Sequence, residues 1–358
     1  MPLLVVGLLS FILLGAGQAV MGAALPAFQR LFSLDTATSG WLISSLGIGS
    51  FLGLVGMYFM GRHVTPRLAL TVMAAGAALL AVSPGFLMSV LGGAVFGLGY
   101  GSVGALFNAR ILVAFGARGP SMLSLLNAGY SVGAIAAPLA FVGLGSNPKV
   151  IFGIIAAVTA LTLLFSGKAG GARAAVRVGG GGFRFDLPIL TFGLLAIGIE
   201  VSLAGLGPSA MIRAGIPPDD AARLLSAFFV AFLAGRLILI LVADRVPPFA
   251  VFTAACLFTA ACALGCAVIS PGWFFAPMGF SAGLFFPGYF VTASARMGDD
   301  PRVAPVILAT TQIGAVFAPL ILAGVIPLMG DRGFFWLVAV AAAIMGLAAL
   351  AGFRSMSR

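Results

Sequence analysis

The chain is 358 residues long, 61% hydrophobic and only 8% charged, with a formal net charge of +10. A soluble domain carries roughly 25% charged residues. With a mean hydropathy of +1.18, this chain holds more apolar surface than an aqueous fold can hide, so lipid is the solvent for most of it. The basic residues are scattered between apolar runs and form no single face, which excludes a nucleic-acid platform and suits membrane orientation.

A membrane span needs about 20 mainly apolar residues. Turn and charge punctuation cuts the chain into twelve such runs: 3–25, 40–60, 68–84, 87–114, 121–144, 150–167, 187–212, 221–243, 249–269, 272–294, 304–328 and 333–353. The first run is followed by no A-x-A-like cleavage site and reads as a retained span; it carries Gln18. The fourth carries Asn108 and Arg110, the fifth Asn127 and Tyr130. After the sixth comes "GKAGGARAAVRVGGGGFRFD", Gly-rich, basic and without an apolar face, which reads as a flexible linker. The seventh run carries Glu200, the ninth all three cysteines (Cys256, Cys262, Cys266), the tenth Tyr289 and the eleventh Gln312. This predicts an all-α polytopic membrane protein of twelve helices: a six-helix half over 1–167, a linker over 168–186 and a second six-helix half over 187–358.

Thirteen Lys and Arg residues, Arg236 among them, fall on the side of the termini and linker, five (Arg30, Lys149, Arg213, Arg223, Arg332) on the other, and Arg110 inside a span. That bias places both termini in the cytoplasm.

The halves repeat. An offset of 182 pairs Pro26 with Pro208, Gly53 with Gly235 and Pro66 with Pro248; an offset of 181 pairs "SVGAIAAPL" (131–139) with "QIGAVFAPL" (312–320). This is a 6+6 parallel repeat, and the mate of Glu200 is Gln18.

Twelve spans, two halves and a basic central linker resemble the major facilitator superfamily. "GMYFMGRHVTPR" (56–67) looks like a degenerate form of that superfamily's signature between helices 2 and 3, with Gly61 in place of its acid and Arg62 and Arg67 retained; "GRLILILVADRVPP" (235–248) keeps Asp244 and Arg245. The resemblance implies a cytoplasmic gate at those four charged residues. "LLGAGQAVMGAALPAFQRLF", "GYGSVGALFNARILVAFG", "LLNAGYSVGAIAAPL" and "GIEVSLAGLGPSAMI" further resemble the fucose–glucose–galactose permeases. The acids that proton-coupled members of that group carry in helices 1 and 4 fall on Gly22 and Gly104 here, so neither proton coupling nor fucose carries over.

Glu200 is the only acid within a span, with 13 uncharged residues before it and 12 after it. It lies about 20 Å into its helix, where a carboxylate is costly and usually faces the bundle interior or a hydrated cavity. It is the first candidate for solute binding and proton carriage, with a structural interhelical hydrogen bond as the plain alternative. Arg110 either snorkels to the interface or stands as a cavity charge, pairing with Glu200 in one state. The resemblance implies that helices 1, 4, 7 and 10 line the cavity, helped by 2, 5, 8 and 11, so Gln18, Asn108, Asn127, Tyr130, Tyr289 and Gln312 complete a polar ring suited to sugar hydroxyls. Each could equally serve an interhelical hydrogen bond.

No phosphate-binding G-x-x-x-x-G-K-[ST] is present, so this chain does not use ATP. "GLGYG" lies inside a span with no strand before it, and His63 is the sole histidine, so catalytic triads and His-based metal sites cannot be assembled. No cofactor and no enzyme activity are expected. The expectation is a monomeric secondary transporter of a bacterial inner membrane, with membrane lipid and a small polar solute, a monosaccharide or related glycoside, as partners and proton coupling open. A drug or metabolite exporter, an uncoupled uniporter and a non-transporting receptor are the alternatives.

Overall fold

In the computed structural model the described residues are 2–60, 63–169, 182–242, 245–298, 300 and 302–352. They form twelve helices: α1 (Pro2–Phe32), α2 (Thr36–Met60), α3 (Pro66–Val82), α4 (Phe86–Phe115), α5 (Gly119–Gly143), α6 (Pro148–Phe165), α7 (Leu187–Arg213), α8 (Pro218–Val242), α9 (Pro248–Val268), α10 (Pro271–Met297), α11 (Val303–Val325) and α12 (Gly333–Ala351). Eleven are long and apolar enough to cross a membrane; α3, at 17 residues, is the shorter one.

The helix starts follow local chemistry. Thr65 Oγ1 accepts from Leu68 N ahead of Pro66, Asn147 caps α6 ahead of Pro148, and Ser270 caps α10 ahead of Pro271. Proline tolerates the first turn because its missing N–H would have no partner there. Asp35 starts α2 by accepting from Thr38 N at 2.6 Å, and hydrogen bonds from the Thr38 side chain and then its backbone lower its carboxyl from the usual range. The boundaries match the sequence expectation to a few residues, with one clear difference. The run ending at 25 continues as helix to Phe32, straight through Pro26. Membrane helices tolerate such prolines because neighbours satisfy the freed carbonyl.

The helices divide into two compact units, α1–α6 and α7–α12. In the first, α1 packs on α5, α4 on α2 and α3, and α3 on α6. In the second, α7 packs on α11, α10 on α8 and α9, and α9 on α12. The pairing is the same with six added to each helix number, and the close approaches agree residue by residue. A Cβ on Gly53 would meet Leu98 O, and one on Gly235 would meet Phe280 O; one on Gly97 would meet Leu46 O, and one on Gly279 would meet Phe228 O. These pairs keep the offset of 182. Gly133 against Ile12 O and Gly314 against Leu194 O keep 181 on the α5/α11 side. Without a side chain at these crossings the backbones approach closely, and dispersion replaces the hydrophobic drive that lipid cannot supply.

Residues 182–186, read from the sequence as the end of a flexible linker, are held instead. Asp186 Oδ1 caps α7 through Ile189 N, while its Oδ2 accepts from Arg296 Nε at 2.8 Å, with Nη2 2.7 Å away. Arg184 N donates to Met297 O, and the Arg302 guanidinium lies over the Phe183 ring. Short aromatic and charged side chains in "GFRFD" give this stretch the contacts that the preceding glycines lack. Residues 170–181 lie outside the described residues.

Candidate functional site

In the first unit α1 and α4 bring Gln18 and Tyr100 together: Tyr100 Oη donates to Gln18 Oε1 at 2.7 Å. The crossing is close because Gly17 lets the Phe96 ring approach. On α5, Asn127 is level with the Leu8 end of α1 and not with Gln18, since Gly129 meets Leu8 and Gly133 meets Ile12 O in a parallel register. Asn127 Nδ2 is engaged with Leu123 O of its own helix at 2.9 Å and is exposed. Tyr130 is half-buried, Asn108 exposed and Arg110 half-buried, all in this unit. Arg110 and Tyr130 both have interaction partners.

In the second unit Glu200 occupies the position of Gln18. On α7, Gly193 takes the Tyr289 ring and Gly207 the Phe275 ring, both from α10. Glu200 is seven residues from each and therefore on the same stripe, level with Ala282. The repeat independently gives the same answer, because adding 182 to Gln18 and Tyr100 gives Glu200 and Ala282. A methyl group thus stands where the first unit has a phenol. The adjacent Ser281 hydroxyl is taken by Thr259 of α9 at 2.6 Å. Glu200 is half-buried, and its Oε2 is enclosed and has no hydrogen-bond partner.

Among the described residues, the charge that attracts that carboxylate is Arg236 of α8. Phe232, one turn earlier, packs its backbone on Gly283 of α10, Gly235 packs on Phe280, and the Arg236 guanidinium carbon sits 4.4 Å from the Phe232 ring centre. The Arg236 Nε is enclosed and unpartnered. The sequence reading counted Arg236 among the cytoplasmic-side charges; the structure places it within α8, six residues before the helix ends at Val242. Its signal in the sequence was its being the sole charge between Arg223 and Asp244.

Tyr289 is fully buried, against Gly193 of α7 and Phe252 of α9, with its hydroxyl unpartnered. It packs inside its own unit. Gln312 is half-buried on α11 and has a partner. Of the four gate residues, Arg67 lies in the first turn of α3 with its guanidinium against Gly167, and Arg245 is exposed beyond α8. Arg62 and Asp244 lie outside the described residues, as does Gly61. The three cysteines are buried in α9, and the described residues hold no cluster of three or more His, Cys, Asp or Glu that could bind a metal.

No curated protein matches the chain in sequence. Solved structures match its fold over nearly its whole length. The nucleoside transporter NupG superposes with a TM-score of 0.75 at 15% identity, covering 98% of each chain. A D-xylose-proton symporter gives 0.74 at 13% identity, covering 96% of each. A POT family transporter in complex with a thioalcohol-conjugated peptide gives 0.79 at 11% identity, covering 99% of this chain and 96% of that one. The family model of the Major Facilitator Superfamily matches residues 7–311. The twelve-helix repeat and that match together make the chain a member of the Major Facilitator Superfamily, an integral membrane transporter and not an enzyme.

Proposed function

We propose that the chain moves a small polar solute, a monosaccharide or related glycoside, by alternating access of its two halves around a site that includes Glu200. The observation that carries this is the enclosed, unpartnered Glu200 Oε2 on the middle of α7. A buried carboxylate oxygen without a donor costs about 1–3 kcal/mol or more, and a site that keeps such a cost is one that a ligand can relieve. Gln18 with Tyr100 supplies an amide and a phenol at the matching place in the other half, neutral groups suited to hydroxyls. Asn108, Asn127, Tyr130 and Gln312 are further solute contacts in this reading, Tyr289 and Arg110 supports. The fold neighbours include carriers of a pentose and of nucleosides, which favours the sugar class by analogy of fold. The 12:5 charge bias that remains without Arg236 supports cytoplasmic termini; a bacterial inner membrane and a monomer complete the reading.

The test is uptake of a labelled monosaccharide panel into proteoliposomes, with and without an inward proton gradient. Gradient-stimulated uptake of one sugar supports symport, and gradient-independent exchange supports uniport. Movement of lipophilic cations alone, with no sugar, would replace this reading with that of an exporter, which the apolar surroundings of Glu200 would otherwise suit.

A further inference from the structure

Glu200 is not alone in lacking a partner. Arg236 Nε is enclosed and unpartnered in the same unit, and the two side chains belong to helices that flank the same stretch of α10, between Phe280 and Tyr289. They attract one another, yet they do not meet as an ion pair. The ion pairs among the described residues are Arg213–Asp331, Arg223–Asp220, Arg296–Asp186 and Arg302–Asp300. The first half has neither charge: Gln18 stands for Glu200 and is already bonded to Tyr100, and Leu54 stands for Arg236. Among the described residues, an acceptor without a donor and a donor without an acceptor thus fall in one half, beside Phe232 and Ala282, which offer neither of them a bond.

We propose that Arg236 is the second pole of the Glu200 site, and that the two together select an uncharged, hydroxyl-bearing solute that donates to Glu200 and accepts from Arg236. The site's own charges cancel. A guest with no net charge leaves that balance intact, whereas a cation or an anion adds an uncompensated charge to a half-buried site between membrane helices, which is costly. A hydroxyl is both donor and acceptor, so adjacent hydroxyls on one ring can serve both poles. The phenyl ring beneath the guanidinium holds that head in place from below, a contact worth about 0.5–2 kcal/mol. The inference rests on the solute-transport reading above and adds to it the charge rule and the residue that enforces it.

The rule is tested by charge deletion in the purified full chain. Binding is read as ligand-induced thermal stabilisation with four probes: D-xylose, glycine as a zwitterion, pyruvate and choline. Wild type and Arg236→Lys should respond to the sugar and not to the ions. Arg236→Gln leaves a net negative site and should gain at least tenfold in choline affinity; Glu200→Gln leaves a net positive site and should gain as much for pyruvate. The double variant should lose both gains, which a merely structural role for either residue would not produce. Unchanged ion preference in Arg236→Gln would overturn the assignment of Arg236, even if the wild type still carries sugar into liposomes. Preference of the wild type for glycine would overturn the hydroxyl class. Absence of any sugar uptake would sink the transport reading separately, because the ion gains of the variants do not depend on it.

Discussion

Tyr100 donates its hydroxyl to the Gln18 amide oxygen at 2.7 Å, and the two positions that correspond in the second half are Glu200 and Ala282. The same crossing of two helices is therefore closed by a hydrogen bond in one half and left open at a carboxylate in the other. Small neutral polar pairs between membrane helices contribute about 0.6–2 kcal/mol. Tyr100→Phe should destabilise the chain by that amount and leave Gln18 as open as Glu200. Thermal unfolding in detergent reads the loss, and an unchanged midpoint would show that the bond contributes nothing to stability.

The close approaches separate glycines that are needed from glycines that are not. Gly133→Ala and Gly314→Ala each place a methyl on a backbone carbonyl of the partner helix and should cost about 1–3 kcal/mol by overpacking. Gly324 has nothing within 4 Å of a Cβ, so Gly324→Ala should be neutral or slightly stabilising, as alanine is the better helix former. Equal losses at the two repeat positions and none at the third would be seen in the same melts.

Asp186 ties the start of α7 to the last turn of α10 through Arg296, with the carboxylate 5% and the arginine 21% exposed. Losing a helix cap costs about 1 kcal/mol, and stranding a largely buried charge costs more. Asp186→Ala should therefore destabilise by about 3 kcal/mol and Asp186→Asn, which can still cap, by less. Proteolysis within 182–186 should quicken in the same order, because release of Asp186 frees the strap that Arg184 and Phe183 otherwise help to hold.

At the start of α11, Asp300 is held down to about 2 by its hydrogen bonds to the Arg302 side chain and backbone N–H. A carboxyl depressed in the folded state adds stability above its unfolded value, here 3.8, and loses it as pH falls from there toward about 2. Amide exchange at Arg302 and Val303 should accelerate across that window beyond the intrinsic rate. In Asp300→Asn the extra acceleration should vanish.

The helices and the repeat were legible because lipid imposes one rule on every span: about twenty mainly apolar residues, with most charges left to the ends. Where that rule has slack the reading slipped. Pro26 looked like a stop because proline usually ends a helix in water, and "GFRFD" looked like linker because its tie to Arg296 spans 110 residues of sequence. Glu200 stood out as a lone acid in an apolar run. Arg236 did not, since an arginine six residues from a helix end looks the same whether it snorkels outward or turns in. Tyr100 was hidden by a glycine-rich surround, and Tyr289 looked available because a sequence reveals a phenol but not which glycine it is pressed against.

The central claim is that Glu200 is kept unpartnered for a solute. Its most direct measurement is the affinity of the transported solute for purified wild type and Glu200→Gln, together with the ligand-free melting temperature of each. A hydrogen bond to a charged group contributes about 1.5–3 kcal/mol. The variant should bind at least tenfold more weakly, because the amide takes away the charged acceptor that the solute's donor needs. If Glu200→Gln binds as tightly as wild type and melts lower, the carboxylate is a structural group and the claim is contradicted.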